Sequence, residues 1–189
     1  MQDVRSFIAV PLPPSIAKSA TRLLANLKHE DDGIRWVPTD NLHLTLKFLG
    51  DVNNRELPAV CQAIRKVCAD FDPFPLEFSG TRALPSLEKA RVLCVGVRDE
   101  SETLTTMVGR LEKQMADLGF KPEPRDYVPH LTLGRVRKTS SRASAAVLDR
   151  LAEYRTIELG QMIADEVLLM GSFLEKSGPS YHVMDTIEL

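Results

Sequence analysis

The chain has 189 residues, enough for one sizeable core, in a single domain or in two closely packed halves. Its formal net charge of −2 excludes the whole-surface attraction to a polyanion that a strongly basic protein would have, so any nucleic acid contact must come from a local basic patch. No apolar run is long enough to cross a bilayer, and the opening Met1-Gln2-Asp3-Val4-Arg5 lacks the pattern of a secretion signal, so no membrane partner is expected.

In chain order, Val4 to Val10 predicts a strand closed by Pro11 and Pro13. Pro14 suits the first turn of a helix, and Ile16, Ala20, Leu23, Leu24 and Leu27 follow at helical spacing, with His29 in the last turn and Gly33 beyond it. Ile34 to Pro38 reads as a short strand. It carries Trp36, the one tryptophan, which serves either as a core residue or as a wall for a nucleobase. Leu42 to Leu49 is the next strand. Asn53 or Asn54 is placed to cap a helix whose apolar stripe is Leu57, Val60, Cys61, Ile64, Val67, Cys68 and Phe71.

Phe74 to Ala83 and Ala90 to Val97 predict a hairpin through Pro85-Ser86. After Asp99 comes a helix with Leu104, Met107, Val108, Leu111, Met115 and Leu118 on its core face. A proline-stiffened loop, Lys121 to Pro129 with Tyr127 in it, enters a strand at His130. A fourth helix is expected from Ser141 to Glu153. Two strands finish the chain, Thr156 to Met170 with a break near Gly160 and Tyr181 to Glu188, the latter carrying His182 as a surface residue. Cys61, Cys68 and Cys94 are odd in number and lie in apolar patterns, which predicts reduced, buried thiols in a cytoplasmic protein.

One tetrapeptide, His-Leu-Thr-Leu, occurs twice, at His43 to Leu46 and at His130 to Leu133, and takes two of the four histidines. In a strand, residues i and i+2 share a face. His43 and Thr45 then point one way, with Leu44, Leu46 and Phe48 towards a core; His130 and Thr132 repeat this against Leu131 and Leu133. The elements repeat loosely, strand, helix and strands with one motif per half. The expected fold is therefore α+β, with two β-rich lobes of approximate twofold symmetry, helices on the outer faces and the motif strands facing across a groove.

Two imidazoles and two hydroxyls in one cleft equip it for in-line displacement at a phosphate diester. One neutral histidine takes a proton from the attacking water and one protonated histidine gives a proton to the leaving oxygen. The hydroxyls of Thr45 and Thr132 can donate to the non-bridging oxygens. The motifs hold too few carboxylates for His43 and His130 to be read as metal ligands, so neither metal nor cofactor is expected. Arg135 falls with Leu133 by strand parity, unless a bulge at Gly134 or the end of the strand turns it towards the groove. Arg135-Val136-Arg137-Lys138 with Arg142 is the candidate RNA-backbone patch, or else a solvated turn.

The paired His-x-Thr-Leu motifs resemble those of the two-histidine (2H) phosphoesterase superfamily, and most closely the bacterial RNA 2′,3′-cyclic phosphodiesterases, also known as 2′-5′ RNA ligases. The likeness extends to Arg5-Ser6-Phe7-Ile8-Ala9, Arg35-Trp36-Val37, Arg91-Val92-Leu93, Pro129 through Arg135 and Gly178-Pro179-Ser180-Tyr181. It implies hydrolysis of a terminal 2′,3′-cyclic phosphate on RNA to a 2′-phosphomonoester, with His43 as proton donor and His130 as acceptor. Thr45 and Thr132 would hold the phosphate, Arg135, Trp36 and Tyr127 are further candidates for substrate contact, and the protein is expected to be a monomer. Ligation forming 2′-5′ linkages, action on another cyclic nucleotide, and a non-catalytic RNA-end binding module are the competing readings.

Overall fold

The structure, a computed structural model, describes residues 3–29, 32–140, 142–175 and 178–189. Its elements are β1 Asp3–Val10, α1 Pro14–Leu27, β2 Ile34–Trp36, a 3-10 turn Thr39–Asn41, β3 Leu44–Asn53, α2 Leu57–Cys68, β4 Phe74–Leu84, β5 Val92–Arg98, α3 Thr103–Asp117, β6 His130–Val136, α4 Ala145–Glu153, β7 Glu158–Ala164, β8 Glu166–Glu175 and β9 Gly178–Glu188. Among the described residues, no helix is long and apolar enough to cross a membrane.

The strands form two antiparallel sheets, ordered β3-β1-β8-β9 and β2-β6-β5-β4-β7. This is the expected α+β arrangement, with one motif strand per sheet. The sheets are not, however, the two halves of the chain. The last two strands join β1 and β3, and β2 crosses over to pair with β6. All four helices bury a stripe against the sheets. In α2 this stripe is Val60, Ala63, Ile64, Val67 and Cys68, and burial of a side chain the size of Ile64 contributes roughly 1.5–3 kcal/mol. One continuous core runs behind both sheets. A separate small cluster, Phe7, Ala9, Leu168 and Met170 with Tyr181 packed on it, covers the opposite face of the first sheet. That face is the groove.

Several boundaries differ from the sequence expectation, each for a local reason. Asn53 remains in β3 and accepts from the Arg55 amide (3.1 Å) in the turn, so the N-cap of α2 is Glu56 and not an asparagine. The long C-terminal strand breaks at Asp165, while Gly160, at φ +123°, stays within β7. His29 lies past the end of α1, and Leu118, beyond the last turn of α3, is exposed. Ser144 caps α4 by accepting from the Val147 amide (3.3 Å); the expected start at Ser141 lies outside the described residues.

Phe48 departs most from expectation. The β1–β3 ladder pairs Ala9 with Thr45 and Ile8 with Lys47, which leaves Leu46 without a partner. A bulge of this kind reverses the faces beyond it. Phe48 therefore turns to the groove, 56 % exposed and 6.0 Å from the Phe7 ring, and Lys47 turns inward. The buried Lys47 ammonium binds the Glu112 carboxylate of α3 (2.6 Å) and the Lys121 carbonyl (3.2 Å).

Candidate active site

The two motif histidines are held in the same way. The carbonyl of Asn41 lies 2.8 Å from His43 Nδ1, and the carbonyl of Val128 lies 2.7 Å from His130 Nδ1. A carbonyl only accepts, so Nδ1 carries the proton in both rings. Nε2 is then the ring atom of each that the backbone contact leaves over, able to accept a proton when bare and to give one when protonated. His43 sits one residue ahead of β3, after the 3-10 turn that presents the Asn41 carbonyl. Its ring stacks on Phe7 (4.7 Å between centroids) and meets the edge of Tyr181 (5.4 Å). Its surroundings hold it well; His130, at the start of β6, is more open.

The ladder around β6 decides which side chains share the His130 face. On β5, Leu93, Val95 and Val97 belong to the core, so Cys94 and Gly96 face the groove. Thr132 pairs with Cys94 and His130 with Gly96, which puts both on the groove face. The register then skips Leu133, pairing Gly134 with Leu93 and Arg135 with Val92. This bulge turns Arg135 to the histidine side, against plain strand parity. Its guanidinium acts on both imidazoles. Burial lowers the pKa of His43 and of His130 from the usual value; the backbone hydrogen bond to each opposes this, and the positive charge of Arg135 adds to the lowering. Arg35 pairs with Arg135 across β2 and shares its face. Thr45, opposite Ala9, lies on the groove face of the first sheet.

Two of the candidates, Trp36 and Tyr127, pack towards the core. Trp36 pairs with Gly134, on the core face of the sheet, and its indole N–H donates to Asp32 (2.7 Å). A Cβ on Gly134 would lie 2.9 Å from the indole ring, so the glycine makes room for it. The ring packs behind the sheet and offers no wall to the groove. Tyr127 packs against the core, and its hydroxyl donates to the Thr45 carbonyl (3.0 Å); burial pushes its pKa up. It ties the approach to one motif to the strand of the other, and that hydroxyl is already used. Arg137, Lys138 and Arg142 are exposed.

Sequence reasoning did not single out Phe7, Tyr181 or Arg35 as site residues. Val4 to Val10 is apolar on both faces, which signals a strand covered on both sides without saying which cover is a groove. Cys68 and Cys94 are buried and Cys61 half-buried, all free; desolvation pushes their pKa values to about 11, about 12 and about 11 respectively. Among the described residues, no three His, Cys, Asp or Glu side chains are grouped as a metal site requires.

Comparison with known proteins shows the family. The sequence model of the LigT like phosphoesterase family matches residues 10–94 and again residues 95–181, one motif histidine in each match. The RNA 2′,3′-cyclic phosphodiesterase of Methanothermobacter thermautotrophicus is 36% identical over 98% of this chain and 99% of its own length. That of Archaeoglobus fulgidus is 32% identical over 98% of this chain and its full length. The crystal structure of Escherichia coli LigT complexed with 3′-AMP superposes with a TM-score of 0.79 at 25% identity, covering 99% of this chain and 98% of that one. With both halves matched by one family model and full-length relatives above 30% identity, the chain belongs to the LigT like phosphoesterases, enzymes of the two-histidine type.

Proposed function

We propose that this chain hydrolyses the terminal 2′,3′-cyclic phosphate of RNA to a 2′-phosphomonoester. The observation that carries this is the matched pair of Nδ1–carbonyl hydrogen bonds, which leaves two Nε2 atoms free around one guanidinium. The names of the full-length relatives support the substrate class.

His130 Nε2 takes the proton of a water whose oxygen attacks phosphorus. The bond from phosphorus to the 3′ oxygen breaks, and His43 Nε2–H gives that oxygen its proton. The next turnover begins once the two rings have exchanged their net proton with solvent. This division of roles follows the family resemblance, since the two rings are held alike. Thr45, Thr132 and Arg135 meet the negative charge on the non-bridging oxygens. A 5′-hydroxyl in place of water would give a 2′-5′ linkage by the same two transfers. Neither half alone holds both imidazoles, so the chain works as one bilobal unit. It acts as a monomer in the cytoplasm, where its thiols stay reduced, and needs no metal.

The test is product analysis on an oligonucleotide ending in a 2′,3′-cyclic phosphate, with and without chelator. His43→Ala and His130→Ala should each lower the rate by about 10² to 10⁴. Full activity in either variant would overturn the proposal; tight binding through many hours without turnover would favour a binding module instead.

A further inference from the structure

A further bulge, in β4, turns another arginine to the histidine face. Glu77 and Ser79 lie on that face, opposite Arg98 and Gly96. The register then skips Gly80, at φ +70°, so that Thr81 turns into the core and Arg82 turns outward opposite Cys94. The Arg82 guanidinium lies directly over Gly96, where an added Cβ would come within 2.7 Å of its Nε. Gly96 is the register partner of His130. Arg82 and Arg135 thus flank the histidine's strand position from either side of Cys94, whose thiol responds to both charges.

Beside Arg82, where β7 stops pairing with β4, lies a depression of about 470 Å³, lined by Ser79, Thr81, Arg82, Arg155 and Thr156. A smaller one of about 270 Å³ shares Thr81, Arg82 and Arg155 with it and is lined also by Ala83, Leu87 and Leu151. Both arginines are exposed, and neither takes part in an ion pair among the described residues. Two carboxylates border the larger depression. Glu77 is neutralised by Arg98 (2.7 Å), which leaves Glu158 against two guanidiniums. The local charge is therefore positive on a chain of net charge −2. Adjacent strands lie about 4.8 Å apart, so two strand spacings, roughly 10 Å, separate the Arg82 backbone from Thr132. An extended nucleotide bridges that span once the guanidinium's own reach is counted.

We propose that Arg82 and Arg155 form a second phosphate subsite, which takes the phosphodiester next to the terminal cyclic phosphate of an RNA strand. This rests on the function proposed above. It makes the enzyme select strand ends over free nucleosides. A nucleoside 2′,3′-cyclic phosphate with a free 5′-hydroxyl fills only the histidine site, whereas an oligonucleotide also places its penultimate phosphate between two forked donors.

The experiment compares adenosine 2′,3′-cyclic phosphate with a trinucleotide ending in the same group, in the wild-type protein and in Arg82→Ala, Arg82→Lys and Arg155→Ala. In parallel, the affinity of the matching trinucleotide 2′-phosphate and of adenosine 2′-phosphate is measured by calorimetry. Wild type should prefer the trinucleotide. Arg82→Ala should raise its KM about tenfold to a hundredfold, the loss of a charge-assisted contact, with kcat held. The loss should be confined to the longer substrate, and the log–log salt slope of trinucleotide binding should fall by about 0.7. Arg155→Ala should act in the same direction, and Arg82→Lys should recover part of the loss. An unchanged preference in both alanine variants, or an equal loss on both substrates, would overturn the subsite. If wild type turns over neither substrate, the proposed reaction falls, and the calorimetric preference still decides for or against the subsite.

Discussion

The hydroxyl of Tyr127 donates to the backbone carbonyl of Thr45 across 3.0 Å, joining the loop that leads into the second motif to the strand that carries the first. Tyr127 stands three residues before His130, and Thr45 two after His43. The bond is therefore a cross-tie between the two halves of the site. Tyr127→Phe keeps the ring and strands the carbonyl, which should cost about 1–2 kcal/mol by chemical denaturation. Turnover should fall with both histidines in place, since misplacement of reacting groups by fractions of an ångström is costly. A phenylalanine variant with wild-type turnover would remove Tyr127 from the positioning of the site.

The acid–base balance should respond to Arg135. Its positive charge disfavours both imidazolium forms, after burial, so the free protein titrates both rings below about 6.5. Arg135→Met should move both titrations upward, seen as ring-proton shifts against pH, and should lower the rate as well. In kcat/KM, which reports the free enzyme, the pH optimum should move to higher pH. Downward movement would contradict the placement of the guanidinium beside the two rings.

The same lowered values link to stability. A histidine whose folded pKa is depressed favours the neutral form on folding. Its contribution is fully present above the unfolded value near 6.5 and is lost as pH falls through the folded value. Melting temperature should therefore drop from pH 7.5 to pH 5, and His43→Gln should remove part of that drop. An equal drop in the variant would separate the acid sensitivity from His43.

Lys47 holds three things together: Glu112 of α3, the Lys121 carbonyl at the start of the second-motif loop and, through the same Glu112 carboxylate, the Glu123 amide (3.3 Å). Lys47→Ala should destabilise the fold by about 2–4 kcal/mol, because it leaves a half-buried carboxylate without its cation. It should also raise hydrogen exchange in residues 121–129. If that loop stays as protected as in wild type, the ion pair does not anchor it.

Gly80 answers for the turn of Arg82. Its φ of +70° is costly for other residues, and an added Cβ would lie 2.8 Å from the Arg155 carbonyl. Gly80→Ala should cost about 1–3 kcal/mol, measured by denaturation. A neutral substitution would mean that the bulge can relax without its glycine.

Much of this architecture could be read from the chain before any coordinates. Apolar spacing located the four helices and the main strands, and the repeated tetrapeptide singled out the two histidines and two threonines that the structure sets on groove faces. Plain alternation misplaces Phe48, leaves Arg135 open between two faces and says nothing of Arg82, each for a non-local reason. Phe48, Arg135 and Arg82 face the groove because their strands bulge at Leu46, Leu133 and Gly80. Alternation along one strand does not reveal which residue a neighbouring strand leaves unpaired. Trp36 stayed open between core and nucleobase wall because its partner, Gly134, is 98 positions away. Strand order was equally hidden: nothing in the local pattern of β2 says that it crosses to the other sheet.

The return of β8 to the first sheet has a consequence for the nascent polypeptide. β1 is an interior strand of its sheet, yet one of its two neighbours is β8, which is synthesised about 150 residues after it. While the ribosome is still at work, β1 and β3 form a two-stranded ribbon with an open edge and with Phe7 and Ala9 uncovered on one face. Such an edge invites pairing with other chains. Chaperone engagement should concentrate in this interval, and a chain halted after α4 should aggregate where the full-length protein does not.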